Sequence, residues 1–190
     1  MSKLPFASLL QQAAALKRDL TDETHLIALE KQLRSTLRPI DLGRPEILDE
    51  RCAGIGLYYL EARFPFHTLD ELEEFGTKWG RIRAPNNPPA MPRYYASRAS
   101  NHTGRIGAGD YIPFYLGKRT DLKDRLSQHI FGKATSKTYS LKLQSRPAVI
   151  ADVEFRFGFL PIPVHEDGYF CVGLLEHALR DRINPIIGKQ

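Results

Sequence analysis

Residues 111–131, YIPFYLGKRTDLKDRLSQHIF, carry the most readable pattern of apolar and polar positions in the chain. The apolar run 112–116 predicts a buried strand, ended by Gly117 and the cations Lys118 and Arg119. Thr120 or Asp121 can then cap a helix, since either side-chain oxygen can accept an orphan amide of the first turn. Within that helix Leu122, Leu126 and Ile130 form one apolar stripe, and Arg125 and His129, four apart, share another face.

The pattern extends to both sides. Residues 6–20 predict an amphipathic helix with Leu9, Leu10, Ala13, Leu16 and Leu20 on one side. A second helix follows, capped by Thr21 or Asp22, carrying Leu26, Leu29 and Leu33 and stopped by Pro39. These two helices can cover a sheet face, form a dimer contact or lie against DNA. Residues 53–64 predict the first strand, in which Tyr58 and Tyr59 must face opposite ways. Residues 67–79 open on a capping box, Thr68 to Glu71, and predict a short helix. Residues 80–109, with four prolines, read as a long irregular loop. After a weak alternation at Tyr139, Leu141 and Leu143, residues 148–160 predict a strong strand. A last helix covers about 169–183 and ends before Pro185, with Glu176 in its middle, facing either solvent or a site.

The elements imply an α/β (α+β) fold: a small mixed or antiparallel three-stranded sheet flanked by helices. Residues 1–50 form a helical N-terminal extension and 51–190 the main domain, with an insertion at 65–110 between the first two core strands.

Composition adds a location. The whole chain carries +5, yet residues 78–146 hold 14 Lys and Arg against three acids, a local balance of +11. A basic middle between acidic flanks suggests a footprint for a polyanion. The insertion and its surroundings supply Arg81, Arg83, Arg93, Arg98, Asn101, Arg105 and Arg119; Arg and Asn are the side chains that read guanine and adenine edges bidentately. Cys52 and Cys171 stand far apart without metal-ligand spacing and read as reduced, small and buried, which suits the cytoplasm. His67, His165 and His177 have no such spacing either, and Glu61 and Glu154, each in a strand, read as facing solvent. The N-terminal stretch is neither a signal peptide nor a membrane span.

The order strand, strand, helix, strand, helix, with these residues on it, resembles the GIY-YIG nuclease superfamily, and most closely its restriction-endonuclease branch. The first motif corresponds to Gly56-Leu57-Tyr58, although Gly54-Ile55-Gly56 could take its place, and the second to Tyr115-Leu116-Gly117. The Arg-x-x-x-His helix corresponds to Arg125 and His129, the late helical glutamate to Glu176, and the proline nine residues on to Pro185. Where the family carries an asparagine three residues after that proline, this chain has Gly188, a departure that leaves a slow or inactive enzyme open.

The resemblance implies a hydrolase that cuts double-stranded DNA with one divalent cation, Mg²⁺ or Mn²⁺, held by Glu176. Arg125 would contact the scissile phosphate, and Tyr58 or Tyr115 would relay the proton of the attacking water. Lys118 would lower the pKa of that phenol, which is near ~10 when free, and His129 would orient a tyrosine or the water. A homodimer is expected if both strands of a symmetric site are cut. The rival expectations are a nucleic-acid-binding module without catalysis and a domain whose basic middle meets an acidic protein. All site readings require Glu176 to face Tyr115 and Arg125.

Overall fold

The computed structural model describes residues 6–81 and 91–188. Its centre is a four-stranded sheet in the order β1-β5-β2-β4, every neighbouring pair antiparallel. Strand β2 (Gly56–Arg63) lies between β4 (Ile112–Arg119) and β5 (Glu154–Pro161), and β1 (Arg38–Pro39) adds a short edge beside β5. The sequence pattern predicts three strands. The fourth escapes it because two residues cannot establish a period of two.

Both faces of the sheet are covered, which explains why β2 is buried at every position but its last. On one face Tyr58, Leu60 and Ala62 join the core built by α3 (Leu69–Arg81), α6 (Leu122–Ile130) and the segment around Leu141 and Leu143. On the other, Leu57, Tyr59 and Leu116 meet α2 (Glu23–Ser35) and α8 (Tyr169–Ile183) through Leu26, Leu33, Val172, Leu175, Leu179 and Ile183. Tyr58 and Tyr59 thus lie on opposite faces, as strand geometry requires.

The helix starts follow their capping chemistry. Asp22 accepts from the Thr24 amide at 2.9 Å at the head of α2, and Asp121 from the Asp124 amide at 3.0 Å at the head of α6. Thr68 and Glu71 close a capping box at the head of α3, the Thr68 hydroxyl donating to Glu71 Oε2 at 2.6 Å. Helix α1 (Phe6–Leu20) is different. It buries no residue, and Phe6, Leu9, Leu10 and Leu16 are exposed. Of the two N-terminal helices, α2 covers the sheet face.

Three further expectations change. The strand read over 148–160 begins only at Glu154, because Pro147 at a helix N1 position starts a turn of helix, α7 (Pro147–Ile150). Tyr139, Leu141 and Leu143 form no strand, and Leu141 and Leu143 plug the core instead. The insertion is not wholly irregular. It contains β3 (Arg93–Tyr94), α4 (Ala96–Ala99) and α5 (Thr103–Gly107), and β3 pairs with β6 (Ile187–Gly188) just beyond α8. His102 Nε2 lies 2.8 Å from the Asn184 carbonyl, so the insertion braces the end of α8. Among the described residues no helix is long and apolar enough to cross a membrane.

Glu61 corrects the reading that it faces solvent. Fully buried, it is ion-paired to Arg34 of α2 and to Arg156 of β5, whose Nε donates to Oε2 at 2.6 Å, and Tyr59 donates to Oε1 at 2.8 Å. A buried carboxylate needs such partners, and these fasten α2 to the sheet. Glu154 is exposed, as expected. Cys52 is buried and Cys171 half-buried, both as free thiols.

Candidate functional site

Strands β2 and β4 pair so that Tyr58 lies opposite Gly117 and Leu60 opposite Tyr115. A Cβ at Gly117 would run into the hydroxyl end of Tyr58 and approach the Tyr115 ring at 3.0 Å. The glycine therefore lets the Tyr58 ring lie across the neighbouring strand. The two phenol rings stack, with centroids 5.9 Å apart and planes at 22°. At the strand's other partner, a Cβ on Gly56 would collide with the Leu160 carbonyl of β5. Both glycines serve close backbone approach.

Helix α6 turns Leu122, Leu126 and Ile130 into the core and carries Arg125 and His129 towards Tyr58. His129 is fully buried against both phenols, its ring centroid 5.2 Å from that of Tyr58 and 4.7 Å from that of Tyr115. The Leu141 amide donates to His129 Nδ1 at 3.2 Å, and a backbone N–H can only donate. Nδ1 is thereby unprotonated, and Nε2 carries the proton and donates to the Tyr58 oxygen at 2.9 Å. Burial first, and the Arg125 charge second, push the His129 pKa well below its ordinary value, which keeps the ring neutral.

The Tyr58 oxygen accepts a second, longer bond from Arg125 Nε at 3.4 Å. Even so its pKa stands well above the ordinary phenol value, because burial, and then the neighbouring Tyr115, outweigh the pull of Arg125. The Arg125 guanidinium is also held by Gln128 Oε1 at 2.8 Å and by the Tyr139 carbonyl. It is a charge fixed in place before any ligand arrives. Both phenols are buried, Tyr115 at 7% exposure being the less enclosed against 1% for Tyr58.

The third component comes from α8. Gly173, Glu176 and Arg180 follow at helical spacing on one side of it, and that side looks towards β4, the open edge of the sheet. A Cβ on Gly173 would lie 3.1 Å from Lys118 Nζ. Glu176 is half-buried and its Oε1 is ion-paired to Arg180. Burial presses the pKa of Arg180 downward, and its Nε is buried without a hydrogen-bond partner among the described residues.

The sequence reading makes Lys118 the cation beside the reactive phenol. Its Nζ instead lies 4.1 Å from the centre of the Tyr169 ring, and the cation bonded to Tyr58 is Arg125. The alternation of β4 explains this, since residue 118 leaves the strand on the face opposite Tyr115. Tyr58, Tyr115, Arg125 and His129 come together, while Lys118 approaches α8 at Gly173 on the other face of the sheet and Glu176 of that helix is paired with Arg180, not with Tyr115 or Arg125. The sequence pattern places Tyr139 and Leu141 in a weak alternation and gives no site role to them or to Arg180, for which the four-residue step from Glu176 is the one visible signal.

The expected DNA contacts divide. Arg93, Asn101 and Arg119 are exposed. Arg98 stacks over the Tyr95 ring at 4.8 Å and donates to the Pro185 carbonyl at 3.4 Å, while Arg105 donates to the Tyr111 carbonyl. Arg81 ends α3, and Arg83 lies outside the described residues. Gly188 pairs with Arg93 in β6, its Cα region open towards Arg98 Nη1, which a Cβ there would approach at 3.5 Å.

Glu176 can serve as a cation ligand, with its second oxygen not engaged by the Arg180 pair. Among the described residues no three His, Cys, Asp or Glu side chains come together as a ligand set. One carboxylate suits a hard cation that keeps most of its waters, such as Mg²⁺, and not a closed zinc site. Compared with known proteins, the chain matches no family model, no curated protein and no solved structure.

Proposed function

We propose that the protein is a divalent-cation-dependent endonuclease of the GIY-YIG type that hydrolyses phosphodiester bonds in double-stranded DNA, acting at specific sequences in the manner of a restriction enzyme. The observation that carries this reading is the Tyr58 hydroxyl, which receives hydrogen bonds from His129 and Arg125 beside the stacked Tyr115 ring. The pairing of Tyr58 with Gly117 supports 56–58, and not 54–56, as the first motif, because the strand and the phenol begin there.

Roles follow from the environments. Tyr58 is buried and strongly resists ionisation, so it is a poor base and a good scaffold. His129 supplies its neutral Nε2–H to the Tyr58 oxygen, and that oxygen, already accepting from two donors, leaves its own proton free to turn towards Tyr115. Tyr115, the less enclosed of the two phenols, takes the proton of the attacking water. Arg125 offsets the charge that gathers on the phosphoryl oxygens as the bond to water forms. Glu176 would hold Mg²⁺ or Mn²⁺, which when bound supplies Lewis-acid stabilisation of phosphate charge. Lys118 and the exposed Arg93, Asn101 and Arg119 contribute the attraction for the polyanion, and a second copy of the chain would supply the second cut.

A second reading is a nucleic-acid-binding protein of the same build that has lost cutting. It is favoured by the Arg180–Glu176 pair, which occupies the carboxylate, and by Gly188 at the asparagine position. Incubation of the protein with supercoiled plasmids in Mg²⁺ or Mn²⁺ separates the two. Discrete fragments support a sequence-specific enzyme and a smear a non-specific one. Intact supercoils together with salt-sensitive retardation on a gel support the binding protein.

A further inference from the structure

The Arg180–Glu176 pair is unusual for a helical i, i+4 pair, because both side chains are largely withdrawn from solvent, at 14% and 13% exposure. Exposed pairs of this spacing stabilise helices only weakly. Here the guanidinium additionally leaves Nε buried without a partner. Around it stand Lys118, which approaches Gly173 two turns earlier on α8, and Arg98, whose like charge repels that of Arg180. Glu176 is thus the one withdrawn carboxylate among several cations, and Asp181, which also acts on Arg180, is exposed and its charge is screened by solvent.

We propose that Arg180 is a positioning residue that competes with a divalent cation for Glu176, so that the cation is held firmly only when a phosphate group is present to receive the guanidinium. The inference rests on the nuclease reading of Glu176. Its logic is electrostatic: a dication on Glu176 meets the like charge of Arg180 on the same helical turn, and the carboxylate alone cannot neutralise both. A phosphodiester supplies the missing negative charge, and the freed guanidinium, with Nε already unpartnered, offers donors in a fork that matches phosphate oxygens. Binding of cation and of DNA is then mutually reinforcing, by linkage. The free protein keeps Glu176 masked.

The test is titration of Mn²⁺ alone into the DNA-free protein, reading free Mn²⁺ by its electron paramagnetic resonance signal. Arg180→Gln should tighten Mn²⁺ binding by about tenfold, the effect of removing one nearby like charge, while slowing DNA cutting. Arg180→Met, of similar length and uncharged, should tighten it likewise, and Arg180→Lys should stay near the parent; melting curves identify any variant that fails to fold. Opposite movements of affinity and rate are not what simple loss of structure produces. Mn²⁺ binding that depends on Glu176 but is unchanged or weakened in both Arg180→Gln and Arg180→Met would overturn the inference and leave the nuclease reading standing. Mn²⁺ binding indifferent to Glu176→Gln would instead remove the cation site on which that reading depends, and the inference with it.

Discussion

His129 donates Nε2–H to the hydroxyl oxygen of Tyr58 across 2.9 Å, joining a helix to the central strand at a fully buried point. The Leu141 amide at 3.2 Å on the other ring nitrogen fixes the direction of that bond. The two phenols consequently differ. The proposed function gives Tyr58 the supporting role and Tyr115 the reacting one.

This asymmetry gives the first prediction. Tyr58→Phe leaves the His129 N–H buried without an acceptor and should lower stability by about 1–3 kcal/mol. Tyr115→Phe should leave stability nearly unchanged while slowing cutting by about 10²–10⁴-fold, the range of a lost general base. Urea denaturation of both variants beside a plasmid-cutting time course checks the split. Equal stability losses would argue against the assignment of roles.

A second prediction concerns acid. The folded-state pKa of His129 is depressed, by burial above all, and that of His102 is lowered as well. The unfolded chain therefore binds protons that the folded one refuses. Stability is full above the unfolded histidine pKa of ~6.5 and falls as pH drops below it. Denaturation midpoints between pH 8 and 5 should decline on the acid side, and His129→Gln should flatten the decline. A midpoint that rises on acidification contradicts the sign.

Gly117 supplies a third. Any side chain there enters the space of the Tyr58 hydroxyl and approaches Tyr115. Gly117→Ala should push the phenols apart and lower cutting at least as far as Tyr115→Phe does, with a stability cost of about 1–3 kcal/mol from overpacking. The matching control is Gly104→Ala, where a Cβ meets nothing within 4 Å. Gly104→Ala should leave cutting intact.

The fourth is structural. Glu61→Ala strands Arg34 and Arg156 and should cost about 3 kcal/mol, the low end for a broken buried pair because both arginines keep contact with solvent. Thermal melting reads the loss. A Glu61→Ala protein as stable as its parent would mean that α2 does not depend on this carboxylate.

Much of this fold could be read from the chain because apolar periodicity is a local property. The stripe of α6, the alternation of β5 and the caps at Asp121 and Thr68 all announce themselves within a dozen residues. The role of Glu61 does not, since a carboxylate sharing a face with Tyr59 fits either a wet or a dry sheet face, and only α2 laid across that face decides. Lys118 leaves the strand away from Tyr115 for a related reason: residues an odd number of positions apart in a strand point to opposite faces. The tautomer of His129 depends on an amide twelve residues away in an irregular segment, which no pattern reveals. Arg98 and Arg105 read as base contacts from composition, yet both are hydrogen-bonded to carbonyls. Cationic side chains serve the fold as readily as a ligand.

The most direct measurement is a side-by-side digestion of one supercoiled plasmid, in Mg²⁺ and in Mn²⁺, by the parent protein, Tyr115→Phe, Arg125→Ala and Glu176→Gln, each shown by its melting curve to be folded. The account predicts cleavage by the parent and a loss of at least about a hundredfold in all three variants. A folded parent that binds the plasmid and never cuts it, or variants that cut as fast as the parent, would contradict it.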